Sequence, residues 1–265
     1  MKILEREKKL HEHYEKIGTQ EDDTVTALDY NLRNLEIDCS KQYLNSDSKV
    51  LDVGSGPGVA CFEYAKIAAN VTGIDFAQSM VNFAKKTFAS KFNDLQDRIS
   101  FYHGSVLALP FESEKFDIVT THRVLITLLS FENQKQALSE IERVLQTNGL
   151  YLMFEATTEG LSILNHFRTK FGLSQISEGG SGDYDRLLFS EKKLKSFMST
   201  KFELINVHSF GMYYFLTRIL QPLFVSPEKP RYDHKLNDVA FEIARQIPNF
   251  ENMGHLKGYV WKKKG

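Results

Sequence analysis

The stretch Val50-Leu51-Asp52-Val53-Gly54-Ser55-Gly56-Pro57-Gly58 constrains this chain more than any other. Residues 49–53 are apolar and β-branched enough to read as a short strand, and glycines let the backbone that follows turn sharply and pass close to a ligand. A helix starting directly after such a turn aims unpaired N–H groups at an anion. A second strand, residues 70–74, ends on Asp75, about 20 residues past the loop, where a carboxylate accepts hydrogen bonds from ribose hydroxyls. Loop and acid together predict a nucleotide-like ligand at the carboxyl ends of adjacent parallel strands.

The remaining pattern extends such a sheet. Helices are expected to about residue 69 and over 78–89, a third strand over 99–103 and a fourth over 116–121. A periodic helix over 133–145 is closed by Asn148-Gly149, and a fifth strand covers 150–155. Strands alternating with helices give an α/β, Rossmann-like fold with helices on both faces of a mostly parallel sheet. Residues 1–47 read as helical, with Leu28, Leu32, Leu35 and Cys39 at helical spacing, and make an N-terminal helical cap. Beyond the fifth strand we expect a helix over 161–171, a flexible glycine-rich loop within 174–185, a helix over 190–199 with Ser190 as its N-cap, and strands over 202–209 and 258–262. Residues 211–254 are too long for a plain connection and read as an insertion or lid facing a substrate. The organisation expected is a cap, 1–47, on one domain, 48–265.

Composition narrows the partners. The formal net charge of the 265 residues is −1, with Lys and Arg spread along the chain. That balance offers no basic field for nucleic acid or an anionic membrane. No segment approaches the roughly 18 consecutive apolar residues of a membrane span. Cys39 and Cys61 cannot build a disulfide framework, and the first 16 residues, dense in Lys and Glu, lack the apolar core of a signal peptide. The expectation is a cytoplasmic protein with a small-molecule substrate.

Spacing then separates one cofactor from another. A dinucleotide fingerprint wants glycine at the sixth position of its loop, where this chain has Val59. Asp52, inside the first strand, would repel a pyrophosphate but suits a ligand with an ammonium or sulfonium charge. Five segments resemble, in order over residues 48–156, the motifs of class I S-adenosylmethionine-dependent methyltransferases. They are residues 50–58, 73–80, 104–111 (Gly-Ser-Val-Leu-Ala-Leu-Pro-Phe), 116–119 and 140–149. Leu188-Phe189-Ser190 through Phe202-Glu203 is similar to that family's penultimate helix and strand.

The resemblance implies a seven-stranded sheet whose last strand is antiparallel, S-adenosyl-L-methionine as cofactor, and methyl transfer as activity. It implies that Gly54, Ser55 and Gly56 hold the methionine part and Asp75 the ribose, with Phe76 and Met80 packing on the adenine. Ser105 and Val106 stand at the adenine-amino position, where the family often has an acid and a serine hydroxyl bonds more weakly. Thr121 and His122, past the fourth strand, would lie beside the methionine and the transferable methyl, with His122 as the candidate catalytic base.

The cap supplies further candidates. Tyr14 is either a helix anchor or a ring covering the cofactor, where it would favour the sulfonium. Arg33 and Glu36 either pair at the surface or place Arg33 on the cofactor carboxylate. His11 and His13 point apart on a helix, so no metal is expected. Tyr30, Tyr213, Tyr214, Arg231, Tyr232 and His234 are expected in the two segments, 1–47 and 211–254, that would close the acceptor site. The alternative for the second segment is a homodimer contact. The activity expected is methyl transfer to an O or N atom of a polar small molecule, with a loose likeness to enzymes of sugar or surface-polysaccharide precursors. The alternatives are a nucleic-acid or protein methyltransferase and a catalytically silent cofactor-binding protein.

Overall fold

The first two strands, β1 (Lys49–Val53) and β2 (Asn70–Asp75), are buried at every residue after the first, the pattern of parallel strands covered on both faces. The computed structural model describes residues 2–24, 26–91, 95, 97–179 and 186–265. With β3 (Ile99–His103), β4 (Phe116–His122), β5 (Leu145–Ala156), β6 (Phe202–Ser209) and β7 (Leu256–Lys263) they form a seven-stranded sheet in the order β3-β2-β1-β4-β5-β7-β6. Strands β1 to β5 pair in parallel, and β7 runs antiparallel between β5 and β6. The chain runs outward from β1 through β2 to β3, then returns to β4 on the other side of β1. That reversal opens a crevice at the carboxyl ends of β1 and β4.

Alternation along the strands sorts the core into two layers. Val50, Ile118 and Leu152 face one side, and Leu51, Val119 and Met153 the other. The first layer packs against α2 (Tyr30–Lys41) and α3 (Val59–Ala65). The second packs against α5 (Phe131–Val144) and α7 (Glu191–Met198). α4 (Gln78–Lys91) links β2 to β3, and α6 (Thr158–Lys170) follows β5.

Several boundaries differ from the sequence expectation, each for a local reason. Residues 1–47 are two helices, α1 (Lys2–Gly18) and α2, joined by an irregular link. Asp29 starts α2 anew by accepting the Leu32 N–H, which leaves Leu28 outside the helix and exposed. The helix expected to close at Asn148 stops at Val144. Asn148, at φ 66°, lies instead in the opening stretch of β5. Ser190 precedes α7, but its hydroxyl donates to Glu159, whose other oxygen receives the Glu191 N–H. Of the flexible loop expected within 174–185, residues 180–185 lie outside the described residues.

The late segment is helical: α8 (Gly211–Phe215), a π turn over Leu216–Leu220, α9 (Gln221–Val225) and α10 (Lys235–Gln246). It packs on the N-terminal part. Tyr213 donates to Asp29 at 2.5 Å, Arg218 forms an ion pair with Asp29, and Asn31 donates to Asp238 at 3.0 Å. The junction behind these contacts is tight. A Cβ on Gly160, in the first turn of α6, would collide with the Gly254 carbonyl oxygen. Gly160→Ala should therefore cost about 1–3 kcal/mol, as overpacking typically does. Thermal denaturation checks it, and an unchanged melting temperature would mean that this junction yields freely.

Candidate active site

The corner between β1 and β2 is held by its own backbone. Gly54, Gly56 and Gly58 have φ values of 70°, 51° and 84°, which side-chain-bearing residues rarely adopt. The N–H groups of Gly54 and Ser55 both donate to the Ile74 carbonyl. The Gly56 N–H donates to Asp75 Oδ2 at 2.8 Å, and the Ala77 N–H to Asp75 Oδ1 at 2.9 Å. Each oxygen of Asp75 retains a lone pair for a further donor. Burial is the main reason its carboxyl is pushed up to about 6. The two backbone donors oppose that shift, while Asp52 and Glu15 reinforce it.

Asp52 lies deeper than expected. It is buried, accepts from Thr120 Oγ1 at 2.7 Å and from Cys61 Sγ at 3.4 Å, and ties β1 to β4 and α3. Burial raises its pKa, opposed by the nearby His122 and by those two hydrogen bonds. The expected direct contact with a cationic ligand is corrected accordingly: this acid is a strut beneath the loop. Thr121 is corrected too. It points to the opposite face of β4, where its hydroxyl pairs with the Tyr151 hydroxyl at 2.8 Å.

His122 has both ring nitrogens engaged. Nδ1 is 3.0 Å from Glu36 Oε2 and Nε2 is 2.8 Å from the Tyr64 hydroxyl, while the ring stacks on Phe154 with centroids 4.8 Å apart. A base must present a lone pair to the acceptor, and here that position is filled by Tyr64. Glu36 and Arg33 do not pair at the surface. Glu36 is fully buried, Arg123 Nη2 lies 3.5 Å from its Oε2, and its Oε1 has no partner among the described residues. Arg33 donates through Nη1 to the Asp23 carbonyl, and its buried Nε also lacks a partner.

Helix α1 lies over the other end of the crevice. Tyr14 and His11 meet the Phe76 ring at centroid distances of 5.5 and 5.4 Å, and Ile17 packs with Ala77 and Met80. Glu15 accepts the N–H groups of Gln78 and Ser79, charging the positive end of α4. Glu7 accepts from Asn133 at the start of α5, so α1 bridges from α4 to α5. Ser105 is exposed and its hydroxyl accepts the Leu107 N–H at 3.2 Å, while Val106 is buried. Of the aromatics and charges expected around the acceptor, Arg231 pairs with Asp233 on the exposed surface and His234 starts α10.

One residue of this edge escaped the sequence reading. Glu155, in β5, is buried and accepts the N–H groups of Val124, Leu125 and Ile126 at 3.0, 2.9 and 3.2 Å. Burial pushes its carboxyl up to about 7, against those donors. It fixes the turn after β4, whose Val124 side chain fills the space where Gly54 lacks a Cβ. The available signal was an acid closing an apolar strand, as Asp75 closes β2.

A doubly wound sheet with a glycine corner, an acid on the next strand end and an antiparallel β7 defines the class I methyltransferase fold. Residues 44–179 match the family described as a methyltransferase domain, and the chain belongs to that family. It is 32% identical over 119 residues to the demethylmenaquinone methyltransferase of Staphylococcus aureus (strain JH9), covering 44% of this chain and 46% of that one. The chain thus matches under half the length of these curated relatives. Its fold is shared with phosphoethanolamine N-methyltransferase 1 of Haemonchus contortus, in complex with phosphoethanolamine and S-adenosylhomocysteine, with a TM-score of 0.64 and 15% identity. That likeness covers 100% of this chain and 50% of that one. A SAM-dependent methyltransferase from Methanosarcina mazei gives a TM-score of 0.57 and 17% identity, over 85% and 96% of the two chains. The cofactor of this family and fold is S-adenosylmethionine. Among the described residues no helix is long and apolar enough to cross a membrane, and no cluster of ligating side chains could hold a metal ion.

Proposed function

We propose that this chain transfers the methyl group of S-adenosylmethionine to an O or N atom of a polar small molecule. The observation that carries the cofactor's placement is a matched pair of unsatisfied groups. Arg33 Nε, a donor, and Glu36 Oε1, an acceptor, sit one helical turn apart on α2, buried and without partners among the described residues. Leaving such groups unpaired costs about 1–3 kcal/mol each, more when charged. The carboxylate and ammonium of an amino acid satisfy both. Asp75 takes the ribose hydroxyls at the other end, with Phe76, Met80 and Tyr14 on the adenosine side and Ser55 and Gly56 between.

When bound, the sulfonium supplies an already activated methyl. The chain's own part is to align an acceptor with it and to exclude water. α1 and the link before α2 lie on one side, where Thr26 comes within 3.7 Å of a Cβ placed on Gly56. α8 to α10 lie on the other, joined to α2 through Asp29 and Asp238. In this arrangement His122 positions Glu36 and takes no proton from the acceptor. Near the carboxyl ends of β4 and β5 lie Arg123, His255 and the buried Tyr214 with Arg218 over its ring. A quinone with an isoprenoid tail would want an apolar channel, so these groups favour a polar molecule.

Calorimetry tests the cofactor: S-adenosylhomocysteine should bind and NAD should not. The reverse order would sink the proposal. Release of S-adenosylhomocysteine across a panel of polar metabolites then separates an enzyme from a catalytically silent binder.

A further inference from the structure

Beyond the cofactor corner, a histidine and several arginines are anchored at the carboxyl ends of β4 and β5. His255 stands just before β7, and its carbonyl accepts the Thr157 N–H at 2.7 Å. Its ring lies 5.0 Å from that of Tyr214, and its buried Nδ1 has no partner among the described residues. Arg218 lies over the Tyr214 ring at 5.8 Å and over the Tyr232 ring at 4.9 Å. Arg123 follows β4 directly, in the left-handed conformation at φ 61°, with its N–H on the Phe154 carbonyl. Arg186 is held beside the same turn, because the Leu187 N–H donates to the Ile126 carbonyl. Burial first, then the charges of Arg218, Arg186 and Arg123, push the His255 imidazole down to about 3, so it stays neutral.

The nearby carboxylates offset this charge only in part. Asp29 is taken up by Arg218 and the Tyr213 hydroxyl, and Glu36 by His122 with Arg123 at 3.5 Å. Arg33 adds a further guanidinium that feels both Arg123 and Glu36. Like charges gathered in a partly buried edge repel, and an anion relieves that repulsion while using the planar forks of the guanidinium groups. We propose that Arg123, Arg186 and the neutral His255 form the seat for an anionic group, phosphate or carboxylate, on the methyl acceptor. Arg218 is held in place by Asp29 and supplies field. The seat rests on the methyltransferase reading above and specifies its substrate class.

The test is calorimetric titration of the whole chain with inorganic phosphate and, separately, with succinate. Both titrations are run with S-adenosylhomocysteine present and at ionic strength held constant with sodium chloride. One of the two anions should titrate saturably, and which one does identifies the group. Arg123→Gln should weaken it about tenfold, and the more exposed Arg186→Gln about threefold, as for charge-assisted hydrogen bonds. Arg186 is on the surface, so its variant keeps the test valid should Arg123→Gln fail to fold. No saturable heat with either anion, or unchanged affinity in the folded variants, overturns the proposal. If S-adenosylhomocysteine binds and neither anion does, the anion seat alone is overturned. Its failure to bind overturns the methyltransferase reading, while the anion titration still scores the seat.

Discussion

Glu155→Ala should be among the most damaging single substitutions in the chain. The side chain receives three backbone N–H groups from the turn after β4, two of them from fully buried residues. Removing the acceptor orphans all three donors at once, at about 1–3 kcal/mol each. A loss of roughly 3–9 kcal/mol is expected, which for a chain of this size lowers the melting temperature by about 10 °C or more. The turn also packs Val124 against Gly54, so S-adenosylhomocysteine affinity should fall with stability. Thermal denaturation with and without that ligand checks both. A melting temperature within a degree or two of the parent would show that the turn holds without its carboxylate.

Asp75→Ala should have the largest effect on the cofactor. Two ribose hydrogen bonds to a charged partner, each worth about 1.5–3 kcal/mol, correspond to a loss of affinity of about 100-fold or more. The substitution also frees the Gly56 and Ala77 N–H groups, so the glycine corner loosens and the melting temperature drops. Far-UV circular dichroism should stay that of a folded α/β chain, separating lost binding from lost structure.

The parent protein should show a matching pH dependence. Asp75 is pushed up to about 6. Its raised value means that the fold prefers the neutral carboxyl. Its contribution to stability is therefore present below the ordinary 3.8 and lost as pH rises through about 6. Cofactor binding runs the other way, because the ionised carboxylate is the better acceptor. Affinity should fall by about tenfold for each pH unit below 6. Calorimetry at pH 5 and pH 7 reads this directly. Equal affinity at both would remove Asp75 from the ribose site.

The sequence by itself determined the sheet and its glycine corner. Val50–Gly58 and the acid closing the next strand state their roles locally. A glycine is needed where φ is positive, and an acid at a strand end has only the adjacent loop to address. The same locality misled elsewhere. Asp52 and Thr121 read as ligand neighbours because they flank the corner in the chain, yet the two-residue period of a strand turns each side chain into the core. For Arg33 and Glu36 the sequence left a surface pair and a cofactor contact both open, since a helix shows which residues share a face but not what that face meets. Only tertiary structure buried Glu36 against His122, brought Asp29 to Arg218 across 189 positions of chain, and set Arg123 against Glu36 from a separate segment. Such partners leave no periodic trace, because their spacing in sequence is set by the crossovers of the sheet and not by the geometry of any one element.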